Sequence, residues 1–261
     1  MGNNAIRDQA RNLKARSILE FATRTDPRTG LELRHAATRK VRVTAEEVLL
    51  QDKAGGPFRA VAVDVTADLA AGGLDGLDTG TRTPSTWYHL WLVANAKGAV
   101  RGLLSLSDSK PAAPAGYKFR AYVGAVYNTA EDYVAAYFQN GRLVWAEKSS
   151  PQPMGGFPAL ATAVDLAASV PTTATSAILE LSGLTVTGGH FIANLYVGPT
   201  ETGPWHNHYL MVAGTPDSAG AIDHLQGTGQ AEVLLDRPQT IYAYAATAGD
   251  QAEINVLGWR Y

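Results

Sequence analysis

The chain has 261 residues, 46% of them hydrophobic, which is enough for one large core or two modest ones and excludes a disordered polymer. Cysteine is absent, so disulfide staples, thiolate zinc sites and cysteine nucleophiles are excluded together. The net charge of -2 argues against a nucleic-acid partner, although the charge is uneven: residues 1–60 carry 12 Lys/Arg against 7 Asp/Glu, a surplus of +5, and the remainder carries -7.

The basic quarter reads either as a solvated Arg-rich surface or as a segment that docks on an acidic partner. Met1 to Asn12 is polar, with Arg7, Asp8 and Arg11, and lacks the apolar core of a signal peptide. No run of about 18 apolar residues occurs, so no membrane insertion is expected and the chain is expected to be made in a cytoplasm.

From Leu13 the apolar pattern approaches a two-residue period, and Asp26-Pro27-Arg28-Thr29-Gly30 is turn chemistry, which together favour a hairpin. Short strands follow at Leu31–Arg34, Lys40–Thr44 and Val48–Leu50. Between the last two, Thr44-Ala45-Glu46-Glu47 fits a capping box with room for one helical turn. Arg59 to Thr66 alternates as a strand. The glycine-rich stretch Ala70 to Gly80 lacks the Lys-Ser/Thr ending of a phosphate loop and reads as a glycine-permitted loop; a calcium turn on Asp75 and Asp78 is the functional alternative.

Thr86-Trp87-Tyr88-His89-Leu90-Trp91-Leu92-Val93 concentrates the apolar bulk. Both of its rows are largely apolar, so the strand is expected to be covered on both sides, or covered once and reused at a subunit contact. Asn95-Ala96-Lys97-Gly98 turns it into a partner at Val100 to Leu106. Ser107 to Gly116 is a proline-bearing loop, Tyr117 to Tyr127 and Tyr133 to Phe138 are strands, and Asn140-Gly141 is the strongest hairpin signal, returning as Arg142 to Trp145.

Residues 149–158, Ser-Ser-Pro-Gln-Pro-Met-Gly-Gly-Phe-Pro, read as a linker or a crossover between sheets. Strands resume at Ala163–Leu166, Ser176–Leu181, His190–Val197, Asn207–Ala213, Ala231–Leu235, Thr240–Ala246 and Ala252–Tyr261. Turn signals at this spacing, without one convincing long helix, define an all-β fold: an antiparallel β-sandwich, jelly-roll-like, as one sandwich or two packed together. The expected organisation is a basic attachment segment at 1–50, a first β-sandwich part at 51–150 and a second at 159–261.

The series Val43 to Leu50, Gly73 to Gly80 and Thr86-Trp87-Tyr88 resembles a group of phage and prophage tail-fibre or head-spike proteins. The likeness continues through Ala113 to Lys118, Val123 to Val126, Phe138-Gln139-Asn140-Gly141 and a terminal strand with Gly258-Trp259. It runs from about Asn12 onward, and the chain departs from it in the Arg-rich residues 7–42. The resemblance implies a β-rich, oligomeric virion surface protein that serves host attachment: a homotrimer if a fibre, a homopentamer if a spike on a capsid vertex. The N-terminal segment would then dock to a capsid or tail protein, and a host cell-surface polysaccharide would be the ligand.

Some phage spikes cut the polysaccharide they bind, which needs two carboxylates flanking one bond. Glu131 and Asp132, Glu147, and Asp223 beside His224 are the candidates, and none forms a recognised pair. No Gly-x-Ser-x-Gly elbow is present. No catalytic residue, no enzymatic activity and no cofactor are expected.

The most suggestive polar cluster is Gly203 to Tyr209. Trp205 and Tyr209 offer flat apolar faces, and His206, Asn207 and His208 offer donors and acceptors, a combination suited to a sugar. The competing reading has Trp205 capping the sandwich core. His206 and His208, two apart on an extended segment, face one side and would make a partial metal site, multiplied on a symmetry axis as in other phage tips. Trp87, Trp91, Trp145 and Trp259 fall in strand patterns and are assigned to the core or a subunit contact.

Overall fold

The structure is a computed structural model and describes residues 28–156, 158–185, 192–211, 225–245 and 251–261. Every regular element among them is a β-strand, as the all-β sandwich pattern predicts. The favoured hairpin upstream of Pro27 lies outside the described residues, as do Asp223 and His224. Contacts divide the chain into two units, one ending at Gly141 and one beginning at Arg142.

The first unit contains β1 (Arg28–Thr29), β2 (Glu32–Ala37), β3 (Lys40–Gln51), β4 (Pro57–Asp68), β5 (Thr86–Ala94), β6 (Val100–Ser105), β7 (Phe119–Asn128) and β8 (Tyr137–Asn140). Strand β3 pairs with β1, β2 and β4, and β8 joins β2, all antiparallel. Strand β5 is central to a second group, between β6 and β7. Leu33, Val43, Val48 and Leu50 from the first group and Tyr88, Leu90, Leu92 and Val126 from the second form one buried cluster.

Two expectations fail here. Thr44 to Glu47 forms no helical turn, because β3 runs unbroken through it and its backbone groups are paired with β2 and β4. The described part of the segment 1–50 is not a separate attachment element: Leu31, Leu33, Val41, Val43, Val48 and Leu50 are fully buried in the first core, while residues 1–27 lie outside the described residues.

Strand β3 switches its buried row midway. Val41, Val43 and Ala45 are inward, then Val48 and Leu50. Strand β4 does the same, from Ala60 to Val63 and Ala67. The switch falls at Glu46, at Ala62 with φ 48°, and between β1 and β2 at Gly30 with φ 60°. A Cβ on Gly30 would stand 2.9 Å from Glu46 Cγ, so that position needs glycine for space as well as for its left-handed backbone.

The aromatic strand β5 is buried on both faces, as its two apolar rows require. Tyr88, Leu90, Leu92 and Ala94 enter the sandwich core. Trp91 and Val93 enter a second, smaller cluster with Leu103, covered by Leu74, Ala113, Tyr117 and Tyr122. The chain's own glycine-rich and proline-bearing loops therefore supply the outer cover. Asp75 N–H donates to Gly102 O at 2.8 Å, Asp78 N–H to Leu104 O at 2.7 Å, and Leu104 N–H to Gly76 O at 2.8 Å, which pairs the glycine-rich loop with the outer edge of β6.

Opposite Leu90–Trp91, β7 carries a bulge at Val123, since Leu90 pairs with Gly124 but Trp91 pairs with Tyr122. The buried Gln139 amide donates to the Val123 carbonyl at 2.8 Å. The bulge puts Tyr122 and Arg120 in the outer row with Trp91 and Val93.

The second unit contains β9 (Leu143–Gly156), β10 (Thr162–Asp165), β11 (Ser176–Thr185), β12 (Ile192–Gly198), β13 (His206–Met211), β14 (Leu225–Leu234), β15 (Thr240–Ala245) and β16 (Gln251–Arg260). One sheet has the order β14-β11-β16-β9 and the other β10-β15-β12-β13. Leu179, Leu181, Ile254, Val256 and Val233 are buried in the first, and Leu195, Val197, Ile241 and Ala243 in the second. The linker expected at 149–158 is instead the second half of β9 as far as Gly156.

Candidate functional site

The small sheet of the second unit alternates around two half-exposed tyrosines, while Tyr242, at 8% exposure, is buried together with the aliphatic row of β15. On β15, Ile241, Ala243 and Ala245 are buried while Tyr244 is half-exposed; on β12, Leu195 and Val197 are buried while Tyr196 is half-exposed. Tyr196 and Tyr244 are direct cross-strand partners, so both stand on the outer face. Their rings stack at 4.5 Å with an interplanar angle of 4°. Trp205 meets Tyr244 edge-on at 5.0 Å and 88°.

Trp205 is held by small residues. A Cβ on Gly198 would lie 2.9 Å from the Trp205 ring and 2.6 Å from Pro204 O, and one on Gly203 would lie 3.0 Å from Trp205 Cδ1. Gly203 has φ 100°, and the Thr200 hydroxyl donates to its carbonyl, which closes the loop that carries the indole. Only glycine at 198 lets the indole lie against the strand.

Register separates the five residues that the sequence groups together. His206 pairs with Val197 and His208 with Leu195, so those positions belong to the row of the buried residues. Asn207 pairs with Tyr196, and Tyr209 with Asn194, so those positions share the row of the stacked tyrosines. Positions 206–211 form a strand, in keeping with the strand expected from Asn207. Trp205 packs on the outer face against Tyr244 and does not cap the core.

Tyr196 and Tyr244 were not singled out by sequence reasoning. Their signal is local: Leu195-Tyr196-Val197 and Ala243-Tyr244-Ala245 each set a tyrosine between aliphatic or alanine residues of the opposite row, although the same pattern also includes Tyr242, which is buried.

Among the described residues no group of three or more His, Asp or Glu side chains is placed to hold a metal. Asp75 and Asp78, the calcium alternative, are committed to internal bonds: Asp75 accepts from Arg101 at 2.7 Å and from Gly102 N–H at 2.9 Å, and Asp78 from Ala112 N–H at 2.8 Å. The carboxylates considered for glycoside hydrolysis are similarly dispersed. Asp132 is clamped by Arg82 Nε at 2.7 Å and by Arg39 at 3.2 Å, and takes a hydrogen bond from the buried Asn128 amide at 3.0 Å. The Asn128 and Arg82 hydrogen bonds hold its pKa below the usual carboxylate range. Glu131 and Glu147 are exposed.

Of the four remaining tryptophans, Trp91 and Trp259 are buried as expected and Trp87 is half-buried against Tyr127. Trp145 is outside the core, at 45% exposure, because the inward position on β9 is taken by Val144 opposite Trp259, which leaves the subunit contact of its two expected roles.

Comparison with protein-family models and with curated proteins finds no match.

Proposed function

We propose that the chain is a virion surface protein, a fibre or head spike, that binds a cell-surface glycan on the aromatic platform of its second unit. The observation that carries the glycan reading is the Tyr196–Tyr244 stack with Trp205 set at right angles to it. Flat apolar rings with polar handles match the alternating C–H and hydroxyl faces of a sugar ring. Asn207 and Tyr209 share the platform's row by register and extend it towards the sheet edge. The virion assignment rests on the resemblance of the strand and turn series, with host attachment as its role and the homotrimer or homopentamer as its assembly. No catalysis is proposed for the platform.

The test is Trp205→Ala. The indole is half-buried, so we expect a melting temperature lower by a few degrees, in keeping with loss of about 1 kcal/mol of packing. We expect at least about a tenfold loss of glycan binding or cell adsorption. Unchanged adsorption by a folded Trp205→Ala protein would overturn the platform and leave a structural connector as the role. Release of reducing ends from a bound polysaccharide would overturn the non-catalytic assignment.

A further inference from the structure

The first unit carries a groove of about 590 Å³ between the turn that joins β3 to β4 and the loop that precedes β7. Its lining includes Asp52, Lys53, Pro114, Tyr117, Lys118 and Arg120. The volume lies within the ~300–1,000 Å³ usual for small-molecule sites. Three cations face one carboxylate, on a chain whose net charge is -2.

That one carboxylate is drawn into its own turn. Asp52 accepts from Gly56 N–H at 2.8 Å and Ala54 N–H at 3.0 Å, and the Gly56 bond is the main reason its pKa is lowered. Its ion pair with Lys118 is long, at 3.7 Å. Two of the three cations are seated over aromatic rings. Lys118 Nζ lies 4.8 Å from the centre of the Phe119 ring, and the Arg120 guanidinium lies 6.0 Å from that of Trp91. Among the described residues Arg120 and Lys53 have no carboxylate partner. A cation over a ring keeps N–H donors for an incoming oxygen, so this arrangement holds charge in place without neutralising it.

Both walls are fixed before any ligand arrives. The turn is closed by Asp52 N–H to Gly56 O and Gly55 N–H to Asp52 O, each 3.0 Å. The loop is pinned by Ala112 N–H to Asp78 Oδ2 at 2.8 Å and by Tyr117 N–H to Pro114 O at 3.1 Å. Tyr117 also packs on the outer cluster around Trp91.

We propose that this groove binds the carboxylate-bearing sugar residues of an acidic polysaccharide, with Arg120, Lys118 and Lys53 on the carboxylate and Tyr117 against the sugar ring. It lies in a different unit from the aromatic platform and stands whether or not the platform binds.

The test uses the full chain with acidic tetrasaccharides of galacturonate, mannuronate and sialate, the methyl ester of the galacturonate tetramer, and inorganic phosphate, read by titration calorimetry. We expect at least one acidic tetramer to bind, and its binding to weaken several-fold as NaCl rises from about 0.05 M to about 0.5 M. We expect the ester of a bound acid to bind at least about tenfold more weakly, and Arg120→Gln to cost a similar factor. Because Arg120 also packs on Trp91, the double variant Lys53→Gln/Lys118→Gln, whose side chains are exposed, is measured beside it with a melting curve. Failure of all three acids to bind, equal binding of acid and ester, or binding unchanged in the folded double variant and in Arg120→Gln would each overturn the proposal. Phosphate binding as tight as the tetramers would also overturn it, since the groove would then read charge and not a sugar.

Discussion

His89 shows how one side chain ties stability to pH. It lies in the outer row of β5, is 4% exposed, and has Nδ1 3.3 Å from the Tyr122 hydroxyl. Burial pushes its pKa below 6.5, and the Asp108 charge opposes that shift. The folded protein therefore keeps the imidazole neutral while the unfolded chain takes up a proton below about pH 6.5. Stability from this group is complete above that pH and falls as pH drops towards the depressed folded value. A melting series between about pH 7.5 and 5 should show this slope, and His89→Gln should flatten it. Gly124 offers a steric counterpart: an added Cβ would lie 2.5 Å from Gln139 Oε1 and 2.8 Å from Leu33 Cδ2. Gly124→Ala should cost about 1–3 kcal/mol in denaturant unfolding, because two buried side chains must move.

At the level of elements, the turn after β7 is held by charge. Asp132, with φ 62°, receives Arg39 from the β2–β3 turn, Arg82 from the segment between β4 and β5 and Asn128 from β7, so three segments meet on one carboxylate. Asp64 has a single exposed partner, Arg42. Asp132→Asn should therefore lower the melting temperature more than Asp64→Asn. Since the Asp132 pKa is depressed, the clamp's contribution is complete above the ordinary carboxylate range and is lost as pH falls through the lowered value. These long-range partners were not legible in the sequence, where Glu131 and Asp132 read only as adjacent carboxylates. The burial of β5 was legible, because two apolar rows leave no face for water. What covered its outer face was not, since Leu74, Ala113 and Tyr117 come from loops whose composition carries no periodicity. The capping box at Thr44 was misleading for a plain reason: a local motif worth about 1 kcal/mol cannot outweigh a strand paired on both sides.

For the molecule as a whole, the all-β architecture followed from turn residues at short intervals, whereas the division of the chain did not. Pro151 and Pro153 read as a linker, yet both sit within β9. The pairing of β9 with β16 shifts register three times, and such irregular pairing is where a strand accommodates residues that lack an N–H. The platform was half legible: Trp205 was found from its polar company, while the tyrosines that give it a surface come from β12 and β15, brought opposite by register alone. The assembly proposed for the virion predicts that light scattering returns three or five chain masses in solution; a monomer at micromolar concentration would count against both.

The bend shared by Gly30, Glu46 and Ala62 constrains how this chain can change in length. The register of β1 and β3 sets residue 30 across from 46, and that of β3 and β4 sets 46 across from 62. Each of the three segments thus holds one extra residue at the same crosswise line, and the extras cancel in the ladder while inverting which row is buried on either side. Removing Glu46 alone would slide half of β3 against both neighbours and turn Val48 and Leu50, or Val41 and Val43, towards water. Removing all three together would leave every pairing and every buried row intact and merely straighten the sheet. Length variation at this line is therefore a triplet event, in which single and double deletions fail to fold and the triple deletion is tolerated.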